Sequence, residues 1–265
     1  MSFPQRYGPW ALVVGAAVGL GAEFCRQLAE RGLNLIMVAL EKDELDTLAT
    51  DLTQRHGIRT HAVTGDITAP DVLDSVALLV EDVELGLVVY NAGLSICGMW
   101  LDVPLERHRR VVDVNISAMM TVLHRFVPPM IERGRGGVVL LSSMSGLLGT
   151  PMYGSYAATK AFTLNLAETL WDEWRPHGVD VVAVVPGPTD TPGYRADAPR
   201  PVRNAPKVMP VAPVVAEGLA ALGKQPSVIP GRANRRNGIL LSRLLPRKRA
   251  VALMGTAMRE IYPGQ

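Results

Sequence analysis

Ser142-Ser143-Met144-Ser145-Gly146 leads through a short apolar loop into Tyr153-Gly154-Ser155-Tyr156-Ala157-Ala158-Thr159-Lys160. The stretch follows the apolar run 137–141, which has the length and β-branched content of a buried strand. With residues 156–160 helical, Tyr156 and Lys160 stand one turn apart on a single face. Tyrosine, with an unperturbed pKa of about 10, is a poor base near neutrality, and a cation held beside it favours the phenolate. Ser143, at the strand's end, is placed to meet the phenol across the turn. Two hydroxyls so arranged can hold a carbonyl or alcohol oxygen while a hydride moves at the attached carbon. Alone, Tyr-x-x-x-Lys is better read as an ordinary amphipathic face, so the rest of the chain has to decide.

Upstream, residues 10–14 form a short apolar run that ends in Gly15-Ala16-Ala17-Val18-Gly19-Leu20-Gly21, with helical apolar spacing beyond it. That is a strand, a glycine turn and a helix start, where backbone amides can receive a pyrophosphate. A second strand is expected at 35–40, then a helix from 41. A strand tip of this kind reads the adenosine ribose of a dinucleotide, and Ala39-Leu40-Glu41-Lys42 offers neither a clean carboxylate nor an arginine. The third strand, 60–64, ends in Gly65-Asp66-Ile67-Thr68, where Asp66 can accept from an adenine amine or Asp66 or Thr68 can cap the next helix. The run 85–90 closes in Asn91-Ala92-Gly93, small residues suited to close approach of a ligand. Residues 107–126 show one long helical pattern containing Asn115, a polar side chain in need of partners.

Downstream of the Tyr156 helix, a strand at 179–185 ends in Pro186-Gly187-Pro188-Thr189-Asp190-Thr191. The proline-rich stretch 191–213 lacks periodicity and reads as a substrate lid loop. A helix at 214–222 and a last short strand at 227–229 precede a basic, apolar tail, 231–265. Strands alternating with helices give an α/β, doubly wound parallel sheet of about seven strands in a single domain, residues 1–265, with residues 8–190 as its core.

With 48% apolar and 20% charged residues among 265, the chain can bury a sizeable core. A net charge of +2 gives no reason to expect nucleic acid. Cys25 and Cys97 form no metal-ligand or disulfide pattern, and no metal is expected. The glycines after residue 14 and the lack of a long unbroken apolar run argue against a leader or membrane span, so the expectation is a soluble cytoplasmic protein.

Taken together, Gly15-x-x-x-Gly19-x-Gly21, Asp66, Asn91-Ala92-Gly93, Asn115, Ser143, Tyr156-x-x-x-Lys160 and Pro186-Gly187-x-x-x-Thr191 resemble the short-chain dehydrogenase/reductase family over residues 8–230. The resemblance implies a Rossmann fold binding NAD(P)(H). It implies Tyr156 as acid/base, Ser143 polarising the substrate oxygen, Lys160 lowering the tyrosine pKa and bonding the nicotinamide ribose, and Asn115 holding a relay water. It further implies cofactor contacts at Gly15, Ala17, Val18, Gly19, Leu20, Gly21, Leu40, Glu41, Asp66, Ile67, Asn91, Ala92, Gly93, Pro186, Gly187, Thr189 and Thr191. The usual Thr before the glycine motif is Val14 here, and Ala17 and Val18 replace small polar residues, so phosphate binding leans on backbone amides. NADP-binding relatives carry Arg at the position of Leu40 and NAD-binding ones Asp at that of Ala39, which leaves the choice between NAD and NADP open.

Segments 6–10 and 241–246 look like a bacterial subgroup related to ketoacyl-type and steroid-type reductases. The implied activity is ketone and secondary-alcohol interconversion on a hydrophobic small molecule. Leu94, Leu147, Leu148, Met152, Tyr153 and Tyr194 are the expected substrate lining. A carrier-bound 3-ketoacyl chain and a non-catalytic, cofactor-sensing scaffold are the alternatives. A homodimer or homotetramer is implied by the family, and the basic tail is suited to an acidic carrier protein or a membrane surface.

Overall fold

The computed structural model describes residues 1–197, 200 and 207–263. The N-terminal half runs α1 (Phe3–Tyr7), β1 (Trp10–Val14), α2 (Gly19–Ala29), β2 (Asn34–Ala39), α3 (Lys42–His56), β3 (Thr60–Thr64), α4 (Pro70–Glu81) and β4 (Leu85–Tyr90). Then come α5 (Leu105–Val112), α6 (Ala118–Phe126), α7 (Pro128–Arg133), β5 (Gly136–Leu141), α8 (Gly154–Trp174) and β6 (Val179–Val184). The chain closes with α9 (Pro192–Ala196), α10 (Val211–Ala221), β7 (Ser227–Val228), α11 (Arg232–Ile239) and α12 (Arg247–Ile261). The seven strands form one sheet in the order β3-β2-β1-β4-β5-β6-β7, every pair parallel. Strand order reverses direction at β1/β4, the topological switch point at which such sheets bind ligands.

Both faces of the sheet are covered, which is why its central strands are apolar throughout instead of alternating. Ala11, Val13, Leu35, Met37, Val89, Val139 and Val182 point into one core layer with Phe24, Leu28 and Leu219. Their neighbours Leu12, Val14, Ile36, Val38, Val88, Val138 and Val181 point into the other, with Met119, Val122 and Leu170. The edge strand β3 is only half-covered.

Two expectations change. The single helix over 107–126 is three pieces: α5, a π-helical turn Asp113–Ser117, and α6. A π turn inserts one residue into the ladder without disturbing the apolar pattern on either side, so periodicity alone does not reveal it. The basic, apolar tail folds as α11, a second π turn at Leu240–Leu244, and α12, with Pro246 at the break. Of the expected lid, the first residues form α9 with Thr191 accepting from the Tyr194 amide; residues 198, 199 and 201–206 lie outside the described residues, and α10 begins at Val211, three residues earlier than expected.

Candidate active site

The tip of β5 and the start of α8 are clipped together by two reciprocal hydrogen bonds. Ser142 Oγ donates to the Lys160 carbonyl at 2.7 Å, and Lys160 Nζ donates to the Leu141 carbonyl at 2.7 Å. The 3-10 turn Met144–Gly146 lies directly on α8, where a Cβ at Gly146 would come within 2.6 Å of the Lys160 carbonyl carbon. Only a glycine allows that approach. The result brings the Ser143 hydroxyl close enough to the Tyr156 phenol to act on its ionisation, while Ser143 Oγ accepts from the Ser145 amide at 3.2 Å.

Burial pushes the Tyr156 phenol above its ordinary pKa; the nearby Ser143 hydroxyl pulls it down, and the Asp197 carboxylate pushes it up again. Lys160 is buried, and burial brings its ammonium down to about 8. The expected neighbour relation is present, with Nζ 5.7 Å from the Tyr156 ring centroid. The expected direction of the tyrosine shift is not. Nζ is turned to the Leu141 carbonyl, and removal of water from the phenol outweighs the lowering effect of Ser143.

The π turn places Asn115 inward, where all its polar atoms are used. Oδ1 accepts from the Leu94 amide at 2.8 Å, and Nδ2 donates to the Leu94 carbonyl at 3.0 Å and Thr159 Oγ1 at 2.9 Å. A Cβ on Gly93 would stand 3.1 Å from Lys160 Nζ and 3.5 Å from Asn115 Oδ1. Thus Gly93, Asn115 and Lys160, far apart in sequence, meet at one point.

The dinucleotide crevice is built from backbone. Gly15 and Gly19 have φ of +79° and +58°, and a Cβ on Gly21 would fall 1.7 Å from the Gly15 carbonyl oxygen. Asn91 Nδ2 donates to that same carbonyl at 2.8 Å, bracing the turn from β4. Val18 occupies the N-cap of α2 and supplies no side-chain cap, so the first-turn amides are left for an anion. Thr191 comes over Gly19 from the far side of the crevice, 3.2 Å from where a Cβ would be. Pro186 accepts from the Met144 amide at 2.9 Å, Thr189 Oγ1 donates to the Gly187 carbonyl at 2.9 Å, and Gly187 rests on Asn234. This cradle fits a nicotinamide dinucleotide held through its pyrophosphate, with Ala16, Ala17, Leu20, Ala92 and Ile67 around it.

At the adenosine end, Leu40 is 61% exposed and Lys42, the nearby cation, is paired with Asp46. Glu41 is exposed at the N-cap of α3. Asp66 makes a turn, accepting from the Thr68 amide at 2.9 Å and hydroxyl at 2.8 Å, and pairs with Arg110. These bonds lower its pKa against the opposing effect of burial. Neither Asp66 nor Thr68 caps α4, whose N-cap is Ala69 with no side-chain bond.

Of the expected substrate lining, Met152 and Tyr153 pack with Ala157, Tyr156, Met254, Met258 and Tyr262. The C-terminal helix is therefore the wall they face. Leu148 is buried, Leu147 and Tyr194 are half-buried, and Leu94 is held by its backbone on Asn115. A cavity of about 270 Å³, lined by Ile96, Trp100, His108, Met152, Ser155 and Arg259, opens beside this loop. No signal in the sequence pointed to the network around Asp197: its carboxylate accepts from Tyr153 at 2.8 Å and Ser95 at 3.2 Å, and the Tyr153 hydroxyl also hydrogen-bonds the Tyr262 hydroxyl at 3.0 Å. None pointed to His108, whose ring nitrogens bond Ser155 Oγ at 2.6 Å and the Trp100 carbonyl at 3.1 Å.

Residues 9–200 match the short chain dehydrogenase family. The chain is 32% identical to a 7β-hydroxysteroid dehydrogenase of Collinsella aerofaciens over 89% of this chain and 90% of that one. A solved 7β-hydroxysteroid dehydrogenase superposes with a TM-score of 0.87 at 29% identity, over 96% of this chain and 99% of that one. A short-chain dehydrogenase from Sphingobium yanoikuyae in complex with NADPH gives 0.78 at 29% identity, over 89% and 94%. With the glycine cradle, the switch-point crevice and the Ser143–Tyr156–Lys160 cluster in one place, the chain belongs to the short-chain dehydrogenase family and is an NAD(P)-dependent oxidoreductase interconverting a secondary alcohol and a ketone.

Proposed function

We propose that the substrate is a steroid-type polycycle carrying a ring hydroxyl or ketone. The observation that carries the reading is the neighbouring Ser143 and Tyr156 hydroxyls set beside an apolar wall of Met152, Tyr153, Met254 and Met258. Such a wall buries a rigid hydrocarbon body while two hydroxyls fix one oxygen. Full-length similarity to 7β-hydroxysteroid dehydrogenases supports the same class.

In this reading Ser143 donates to the substrate oxygen, and Tyr156 gives its proton to that oxygen in reduction and takes one from it in oxidation. The bound dinucleotide supplies or accepts the hydride. Lys160 holds positive charge beneath the phenol and faces the ribose side of the crevice, next to Gly93. Asn115 fixes the loop at Leu94 and, through Thr159, the turn of α8 that carries Tyr156 and Lys160; the expected relay water would sit beside Oδ1. Residues 15–21, 91–93 and 186–191 hold the dinucleotide.

The test is turnover of 7-hydroxy- and 7-oxo-steroids with either NAD(P) couple, alongside Tyr156→Phe. Turnover should disappear in the variant by at least about a hundredfold while dinucleotide affinity persists. Reduction of small bulky ketones with no steroid turned over would sink the substrate class. Undiminished turnover in the variant would sink the role of Tyr156.

A homodimer or homotetramer accords with the exposed apolar side chains Leu105, Val112, Met120 and Phe162 on α5, the region of α6, and α8. A cytoplasmic location accords with two unpaired cysteines, and no described helix is long and apolar enough to cross a membrane.

A further inference from the structure

The distribution of charge along the chain is lopsided. Residues 232–265 carry eight Lys or Arg and a single acid, Glu260, whereas residues 1–231 carry nineteen against twenty-four. The eight cations are all exposed. Among the described residues only Arg235 has an ion-pair partner, Glu217, and Arg247 donates to the Leu147 carbonyl at 3.3 Å.

Large apolar side chains stand exposed among these cations. Ile239 and Leu240 are 41% and 45% exposed, and Leu244 and Leu253 are 69% and 55% exposed. Arg236, Leu240, Arg243, Leu244, Arg247 and Lys248 recur at intervals of three to four along α11, the π turn and the start of α12. Arg236, Leu240, Arg243 and Leu244 thus follow one another before the break at Pro246, and Arg247, Lys248 and Arg249 continue the exposed basic stretch in the first turn of α12. The opposite side is spent on the site: Ala250, Met258 and Tyr262 are buried, and Met254, Met258 and Tyr262 pack on Met152, Tyr153 and Tyr156.

We infer that the outward side of the α11–α12 arm docks on an anionic lipid surface. Leucines interleaved with unpaired cations match the interfacial pattern, in which apolar side chains enter the headgroup boundary and Lys and Arg meet lipid phosphates. The exposed leucines stand among cations with no exposed aromatic side chain beside them in the described residues, which suits a deformable surface better than the aromatic-anchored pocket of a protein partner. Docking in this orientation puts the wall of the site one helix's thickness from the bilayer, so an apolar substrate partitioned into lipid has a short route to Tyr156. The inference is independent of which ketone or alcohol is turned over, because its test needs no substrate.

The test is flotation of the full chain with phosphatidylcholine vesicles and with vesicles containing phosphatidylglycerol. Protein should float with the anionic vesicles alone. The triple substitution Arg243→Glu, Lys248→Glu, Arg249→Glu should lower the bound fraction by about a hundredfold or more. Leu240→Ser with Leu244→Ser should also release the protein, while melting temperature and dinucleotide affinity stay at the parent values in both variants. Protein left at the bottom of the gradient overturns the inference, as does flotation that survives either set of changes. Retention by an acidic carrier protein without flotation, or a change of oligomeric state on charge reversal, overturns it too and assigns the arm to a protein contact.

Discussion

At the residue scale the site turns on what burial does to two side chains. In the proposed mechanism, reduction needs Tyr156 protonated and oxidation needs it ionised. Because the phenol's pKa is held above its ordinary value, the reductive rate should stay level through neutral pH and fall only in the alkaline range, while the oxidative rate climbs with pH. Lys160, ammonium below about 8 and neutral above, withdraws its support for the phenolate as pH rises. Besides burial, the groups acting on the Tyr156 pKa are Ser143 and Asp197, and Lys160 Nζ stands 5.7 Å from its ring centroid. Asp197→Asn removes a negative charge and should move the oxidative limb to lower pH, as read from kcat against pH. A second outcome concerns Leu40, exposed at the adenosine end with the nearby Lys42 tied to Asp46. Leu40→Arg should raise affinity for NADPH relative to NADH by at least about tenfold, near 1.4 kcal/mol, in calorimetric titrations. An unchanged ratio would place the 2′-position of the ribose elsewhere.

At the element scale, the strand-to-helix turns set the geometry. The β5–α8 turn is held by Ser142, Lys160 and the contact of Gly146 with the α8 backbone. Gly146→Ala forces a methyl into the Lys160 and Ala161 backbone and should cost about 1–3 kcal/mol of stability. It should also lower kcat far more than it weakens dinucleotide binding, because it parts Ser143 from Tyr156 and leaves the glycine cradle intact. Thermal melts and calorimetry separate the two effects. The π turn between α5 and α6 works in the same way: one added residue carries Asn115 from the helix surface to three bonds around Leu94 and Thr159.

At the scale of the whole molecule, Asp197 and Tyr153 join four distant pieces: the loop after β4 through Ser95, the start of α8, the end of α9, and the chain's last helix through Tyr262. Tyr153→Phe removes two of these bonds and leaves the Asp197 carboxylate short of a donor. It should destabilise the protein by about 1–3 kcal/mol. Hydrogen exchange should quicken around residues 95–98 and 258–262, with the β1–β6 core unchanged. At the other end of the sheet, Arg6 and Tyr7 both donate to the buried Asp180, at 2.6 and 2.7 Å, so the first helix is fastened to β6. That clamp spans more than 170 residues, and nothing local in either segment announces it.

The sequence by itself determined the alternation of strands and helices, the parallel sheet, the glycine cradle, and Ser143, Tyr156 and Lys160 as one cluster. Each depends on signals carried within about twenty residues: apolar runs, glycine spacing and helical periodicity, which local sterics and burial translate directly into structure. Strand bounds at 10–14, 60–64 and 85–90 were legible for the same reason. Tertiary structure alone decided the π turn at Asn115, the turning of Lys160 toward Leu141, the pairing of Asp66 with Arg110, the Asp197 network, and the seating of the tail on Met152, Tyr153 and Tyr156. All of these depend on which buried polar group finds a partner, and on which helix covers an apolar face, between segments separated by tens to hundreds of residues. Spacing along a chain carries no record of such choices; they are made when the segments compete for the same hydrogen bonds and the same dry surface.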